Sequence, residues 1–294
     1  MSRIDEAMRR AGVRPTGSNA LRANDGQTFR APWPIDAAPE ASPADRSELP
    51  SEGETSLQQV TPISTEWLEQ LVVSPTISPT VVEQFRRLAA TLHVAQTATN
   101  QLKVLLITSA EAGDGKTFTA ANLALTLSES YHRRVLLVDM DFRRPALSHL
   151  TKDRPTRGLA EGLRASTEQK LPVLRVTERL TLLPAGHPEA DPMSSLTSPR
   201  MQRVLSEAAQ AFDWVVLDAP PLCLVPDARL VAMLADAVLL VVRAGQTHHE
   251  SVQRAVDIIG RERIFGVVLN GAEEASLPKY DRQYGYYAKP GEPR

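Results

Sequence analysis

With 294 residues the chain has room for one large domain or two small ones, and a 42% hydrophobic content supports a sizeable core. A net charge of −2 provides no basic field for nucleic acid, and the lone Cys223 has no partner for an intrachain disulfide, which fits a reducing cytosol. No apolar run approaches the ~20 residues of a membrane span, and Met1–Glu6 lacks the apolar core of a secretory signal, so a soluble intracellular protein is expected.

In chain order, residues 2–11 place Ile4, Ala7, Met8 and Ala11 on one helical face, an amphipathic helix too short to stand alone. From Val13 to about Gln59 the chain is rich in Pro, Ser, Ala and acidic residues, with five prolines between Pro32 and Pro50 and no apolar periodicity. This stretch is expected to be a disordered tail or tether. Order is expected from residue 63. A helix starting near Pro79–Val82 carries Val81, Phe85, Leu88 and Leu92 on one stripe, ahead of an apolar strand at Val104–Ile107. A Gly-containing turn and a second helix through Leu123 and Leu127 follow, then a strand at Val135–Val138.

Further on, Leu180–Leu183 reads as a strand, Pro184–Pro192 as a loop and Pro199–Ala211 as a helix leading into a strand at Trp214–Leu217. Strands are also expected at Ala237–Val242 and Phe265–Leu269, joined by a helix around His249–Gly260. Apolar strands alternating with helices predict an α/β fold: a doubly wound, mostly parallel sheet covered on both faces. The expected organisation is a tail at 1–62, a nucleotide-binding domain at 63–274 and a flexible tail at 275–294.

The chemistry is concentrated at strand ends. Between the first strand and its helix lies Ala110-Glu111-Ala112-Gly113-Asp114-Gly115-Lys116-Thr117, a phosphate loop in which Ala110 replaces the usual first glycine. The glycines let backbone N–H groups of Ala112, Gly113, Asp114, Gly115, Lys116, Thr117 and Phe118 converge on phosphate oxygens. Lys116 supplies a point charge for the β- and γ-phosphates, and Thr117 a hydroxyl for Mg²⁺. The predicted ligand is therefore a nucleotide. Asp218, after Trp214–Leu217, fits a carboxylate that holds Mg²⁺ through its water shell. Taken alone it fits a helix cap equally well, and its pairing with the phosphate loop favours the metal.

Asp139, Asp141 and Arg143 follow the second strand. Two residues apart on an extended segment, the carboxylates are expected to face the same side. A second acidic cluster suits a reaction that must also take a proton from an incoming hydroxyl. Arg143 suits an acidic group or phosphate. Standing alone, the motif would read as a solvated turn. Four of the five tyrosines, Tyr280, Tyr284, Tyr286 and Tyr287, lie in the last 15 residues among polar neighbours. No core can form there. The cluster fits a phosphoacceptor tail, with a docking tail as the alternative.

Together these motifs resemble the bacterial tyrosine kinases of capsule and exopolysaccharide assembly, built on a phosphate-loop NTPase fold of the Min/Par-like type. The resemblance runs from about Pro79 to the C-terminus and rests on the phosphate loop, Val138-Asp139-Met140-Asp141-Phe142-Arg143, Leu217-Asp218-Ala219-Pro220-Pro221 and the tyrosine cluster. It implies ATP at Lys116 and Thr117, Mg²⁺ held by Thr117, Asp139 and Asp218, and activation of the tyrosine by Asp139 with Asp141. It further implies phosphorylation of the tail tyrosines between subunits of a homo-oligomeric ring, a tyrosine phosphatase and no role for nucleic acid. A separate membrane-embedded polysaccharide co-polymerase is implied as activator, with the kinase cytoplasmic and peripheral to the inner membrane.

One position departs from the family. Its oligomerisation motif, Glu-x-x-Arg-x-x-Arg, reads Glu83-Gln84-Phe85-Arg86-Arg87-Leu88-Ala89 here. The competing class is a Min/Par-type switch ATPase. Its phosphate loop usually carries an extra lysine, at the position occupied here by Glu111, and a membrane-targeting version ends in an amphipathic helix, which is not readable in this tail.

Overall fold

In the computed structural model the described residues are 60–99, 102–165 and 170–272. The expected helix at 2–11, the tether and the tyrosine tail lie outside them. Thr61 and Pro62 already belong to the ordered domain: Thr61 N–H donates to Arg175 O at 2.7 Å and Pro62 O accepts from Lys152 N–H at 3.0 Å. Among the described residues no helix is long and apolar enough to cross a membrane.

After the short helix α1 (Thr65–Leu68) comes α2 (Pro79–Thr99), then β1 (Val104–Ser109), α3 (Lys116–Glu129) and β2 (Val135–Asp139). A 3₁₀ turn at Leu147–Leu150 leads to α4 (Leu159–Arg164), β3 (Leu174–Arg175), β4 (Leu180–Leu183), α5 (Met193–Leu196) and α6 (Pro199–Ala211). The chain continues through β5 (Trp214–Asp218), α7 (Asp227–Met233), β6 (Ala237–Arg243), α8 (His249–Ile259) and β7 (Ile264–Asn270). The apolar runs all fold as the strands expected. The short β3 and the helices α1, α4, α5 and α7 were not anticipated, because none is long enough to show a period of its own.

The strand order is β3-β4-β2-β5-β1-β6-β7, parallel throughout except for the antiparallel β3–β4 pair. This is the doubly wound α/β sheet. Strands β1, β2 and β5 are buried at every residue, as continuous apolar runs require when helices cover both faces. On one face α2 and α3 pack through Phe85, Leu92, Leu123 and Leu127. On the other, α6, α7 and α8 pack through Val204, Leu205, Val231 and Ile259. The phosphate-loop helix α3 is buried along Thr119–Ser128, so it sits within the core rather than on it. Strand β7 is an edge, where Phe265, Val267 and Leu269 alternate outward.

Register delivers the site. Asp218 is the Cα partner of Ile107 on β1 and of Asp139 on β2, so two strand-terminal carboxylates are adjacent beside the phosphate loop. The segment entering the domain is tied to the same region. Ser64 N–H donates to Leu150 O at 2.9 Å, and the buried Asn122 of α3 accepts from Val72 N–H at 2.7 Å and donates to Gln70 O at 3.3 Å.

Candidate functional site

The phosphate loop turns on two glycines held in the left-handed region, Gly113 at φ +89° and Gly115 at φ +97°. At Gly115 a side chain is barred twice, because an added Cβ would lie 2.0 Å from Asn270 Nδ2. Ala110, the departure from the usual glycine, is fully buried. Asp114 is buried and points into the protein: its Oδ2 accepts from Glu111 N–H at 2.9 Å and its Oδ1 from the Thr247 hydroxyl at 2.7 Å. Its side chain is thus a strut of the loop, and what it offers an anion is its backbone. The Phe118 ring likewise turns away into an edge contact with Phe85, at 6.0 Å between centroids.

Lys116 closes the loop and faces the acidic strand ends. Its Nζ lies 3.3 Å from Asp141 Oδ2, 3.8 Å from Asp218 Oδ1 and 3.3 Å from the Thr117 hydroxyl. Burial works against the ammonium charge. Asp218, Asp141 and Asp139 outweigh it and hold the pKa above the ordinary lysine value.

The two carboxylates of the second motif do different things. Asp139 spends its oxygens on the backbone: Oδ2 accepts from Ala146 N–H at 3.0 Å and Leu147 N–H at 2.9 Å, Oδ1 from Asp141 N–H at 3.1 Å. Asp141 accepts from Arg144 N–H at 3.0 Å and turns its other oxygen to Lys116. The alternation that would set them side by side does not extend this far, because β2 ends at Asp139. Burial and then the Asp218 charge push Asp139 up to about 8, against the pull of the Leu147 and Asp141 N–H groups. Burial also lifts Asp218 to about 6, with Lys116 and the Thr117 hydroxyl opposing.

Arg143 lies apart from this cluster. It forms a two-pronged ion pair with the buried Asp227 at the start of α7, and its Nη1 donates to Ala190 O at 2.7 Å. It therefore braces the loop after β2 against α7. Three further residues frame the phosphate loop and escaped the sequence reading. Arg243 Nη1 donates to Gly113 O at 3.0 Å, Asn270 Nδ2 donates to Asp114 O at 2.8 Å, and Thr247 holds the Asp114 carboxylate. The available signal was positional, since Arg243 and Asn270 each end an apolar strand on the ligand-binding edge of a parallel sheet.

The fit to magnesium rests on Asp218, both of whose carboxylate oxygens are buried without a hydrogen-bond partner. With the hydroxyl of Thr117 and the carboxylate of Asp141 nearby, the donors are all hard oxygens, which suits that ion. Among the described residues no three His, Cys, Asp or Glu side chains form a metal cage. An ion that retains waters and takes phosphate oxygens does not need one.

On helix α2, Glu83 and Arg87 pair at 3.7 Å and Arg86 is exposed, whereas Ala89 is fully buried between Phe85 and Leu92. The alanine at the departing position therefore belongs to the domain's own core, where an arginine would bury its charge.

The model of the AAA domain family matches residues 102–263. The tyrosine-protein kinase YwqD of Bacillus subtilis (strain 168) is 32% identical over 208 residues, spanning 70% of this chain and 85% of its own. The succinoglycan biosynthesis transport protein ExoP of Rhizobium meliloti (strain 1021) is 36% identical over 193 residues, 62% of this chain but only 24% of its own. Among solved structures, the kinase domain of the Escherichia coli tyrosine kinase ETK superposes with a TM-score of 0.62 at 27% identity, covering 79% of this chain and 98% of that one. The chain thus belongs to the family of bacterial tyrosine kinases built on a nucleotide-binding phosphate-loop fold.

Proposed function

We propose that this tyrosine kinase transfers the γ-phosphoryl group of Mg-ATP to tyrosines of its own chain, Tyr280, Tyr284, Tyr286 and Tyr287, presented by a neighbouring copy. The observation that carries this reading is the convergence of Lys116, Asp141 and Asp218 behind a phosphate loop held in shape by its surroundings. Backbone N–H groups from Ala112 to Phe118 receive the phosphates, and Lys116 leaves its carboxylates for the β- and γ-oxygens. Thr117 and Asp218 would hold the magnesium ion, which would supply charge neutralisation at the phosphate oxygens. Asp141, freed from Lys116, accepts the proton of the incoming tyrosine hydroxyl. Asp139 keeps the segment 139–147 folded around that carboxylate, and its charge adds to the field around the metal. Arg143 acts through Asp227 on the same segment.

The domain takes in Thr61 and Pro62 and runs to about 274, between an N-terminal tether with its helix at 2–11 and the acceptor tail at 275–294. The cellular role is regulation of exopolysaccharide or capsule polymerisation and export, supported by the likeness to the succinoglycan biosynthesis transport protein ExoP. The partner is a separate membrane-embedded polysaccharide co-polymerase that holds the kinase at the cytoplasmic side of the inner membrane, and a tyrosine phosphatase resets the cycle. A homo-oligomeric ring forms through the Glu83, Arg86 and Arg87 surface of α2, without the arginine that Ala89 replaces. A Min/Par-type switch is disfavoured by Glu111, whose carboxylate lies 3.1 Å from His248 Nδ1 at the place of the extra lysine.

The test is mass-spectrometric mapping of phosphate after incubation of the full chain with Mg-ATP, beside Lys116→Met, with and without the cytosolic end of a co-polymerase. Phosphate on the four tail tyrosines that is lost in the variant is the expected result. ATP hydrolysis with unmodified tyrosines, partner present, would move the assignment to the switch ATPases.

A further inference from the structure

The turn between β6 and α8 is built around its own hydrogen bonds. Arg243 N–H donates to the Thr247 hydroxyl at 2.7 Å, and Thr247 N–H returns to Arg243 O at 3.1 Å. Having accepted from Arg243, that hydroxyl gives its only proton to Asp114 Oδ1 at 2.7 Å, on a side chain that is 3% exposed. The Arg243 guanidinium reaches back to Gly113 O at 3.0 Å. From the neighbouring strand Asn270 Nδ2 donates to Asp114 O at 2.8 Å, and Ala244 N–H donates to Asn270 O at 2.8 Å, locking the two strand ends together.

These contacts fall on the carbonyl side of the peptide planes in the phosphate loop. A trans peptide is rigid, and its C=O and N–H point in opposite directions. Holding Gly113 O therefore fixes the direction of Asp114 N–H, and holding Asp114 O fixes that of Gly115 N–H. Without such ties this stretch is costly to order, because Gly113 and Gly115 have more backbone freedom to lose than any other residue type. A loop already ordered binds phosphate more tightly than one that must be ordered on binding.

We propose that Thr247 and Arg243 are positioning residues for the kinase reaction: they fix Asp114 and the direction of its N–H before nucleotide arrives. Thr247 acts through the Asp114 carboxylate and Arg243 through the Gly113 carbonyl. This deepens the nucleotide-binding reading of the loop and rests on it.

The experiment uses the full chain with Thr247→Val, Thr247→Ser and Arg243→Met. Two quantities are read: the Kd of a non-hydrolysable ATP analogue with Mg²⁺, and amide hydrogen exchange of residues 112–116 without nucleotide. Loss of the hydroxyl in Thr247→Val is expected to raise the Kd about tenfold, equivalent to about 1.4 kcal/mol. The loop amides should exchange faster at an unchanged melting temperature, and Thr247→Ser should restore both readings. Arg243 is exposed, so Arg243→Met keeps the fold and stands in if Thr247→Val does not. A change in only one of the two readings, or in neither, overturns the proposal. Failure of the wild type to bind the analogue would instead sink the nucleotide reading, while the exchange data would still judge whether the loop is held by these residues.

Discussion

The Nζ of Lys116 lies 3.3 Å from Oδ2 of Asp141, across 25 residues of sequence. That contact joins the phosphate loop to the motif after β2, and Asp218 at 3.8 Å extends it to the end of β5. Without nucleotide the lysine neutralises the acidic strand ends. In the proposed reaction the phosphates compete for it, and arrival of the substrate releases the carboxylate assigned to the tyrosine proton.

Lys116→Met removes the only cation in this contact and is expected to lower tyrosine phosphorylation about 100- to 1,000-fold, the range for deleting one preorganised transition-state donor. It should also weaken the nucleotide-free fold, since Asp141 and Asp218 then face each other without a counter-charge. Phosphotyrosine yield and urea unfolding measure the two effects. Phosphorylation within tenfold of wild type would exclude Lys116 from the reaction.

Asp139 and Asp141 should separate experimentally. In Asp139→Asn an NH₂ group replaces one oxygen and confronts backbone N–H donors, so a loss of about 2 kcal/mol is expected from unsatisfied groups, with activity falling alongside. Asp141→Asn keeps the shape of the loop and should slow kcat about 10²- to 10⁴-fold with little change in melting temperature. Equal stability losses in the two variants would contradict this division of labour.

The pH dependence follows from the raised carboxyls. Asp139 at about 8 and Asp218 at about 6 hold protons in the native state that the unfolded chain, with carboxyls near 4, has released. The folded state binds more protons between roughly pH 4 and 8, so stability falls as pH rises through that window and levels above it. Denaturant titrations in EDTA from pH 5 to 8 should show that slope, and Asp218→Asn should flatten it. Mg²⁺ with nucleotide should also flatten it, by favouring the ionised carboxylates. A slope identical in Asp218→Asn and wild type would remove Asp218 as a source.

Arg143 is expected to act through its ion pair. Arg143→Met leaves the buried Asp227 without its counter-charge and should lower the urea midpoint, by less than the loss of a fully buried pair because the guanidinium is partly solvated. Arg143→Lys should recover only part, since an ammonium cannot reproduce the two-pronged geometry. Loss of activity at wild-type stability would instead place Arg143 on the substrate.

Much of this was legible because the signals are local. A run such as Val104–Ile107 is apolar at every position because both faces of its strand are covered, and Gly113, Gly115, Lys116 and Thr117 are close enough in sequence to state their chemistry together. The strand-end positions of Asp139 and Asp218 followed from the apolar runs before them. The β/α alternation determined the doubly wound sheet, and with it the edge on which the site had to lie.

Other features were decided only when distant segments met. Which oxygen of which aspartate faces Lys116 depends on β2 stopping at Asp139, which its composition does not mark. Arg143 suited an acidic group or a phosphate alike until the fold brought Asp227, 84 residues away, against it. Ala89 looked like a defect in a surface motif until the packing of α2 turned it inward. The hold of Arg243, Thr247 and Asn270 on the phosphate loop spans 130, 133 and 156 residues. Sequence fixes the conformational preferences of neighbouring residues, whereas a hydrogen bond over such separations exists only where sheet register and helix packing bring its two ends within about 3 Å.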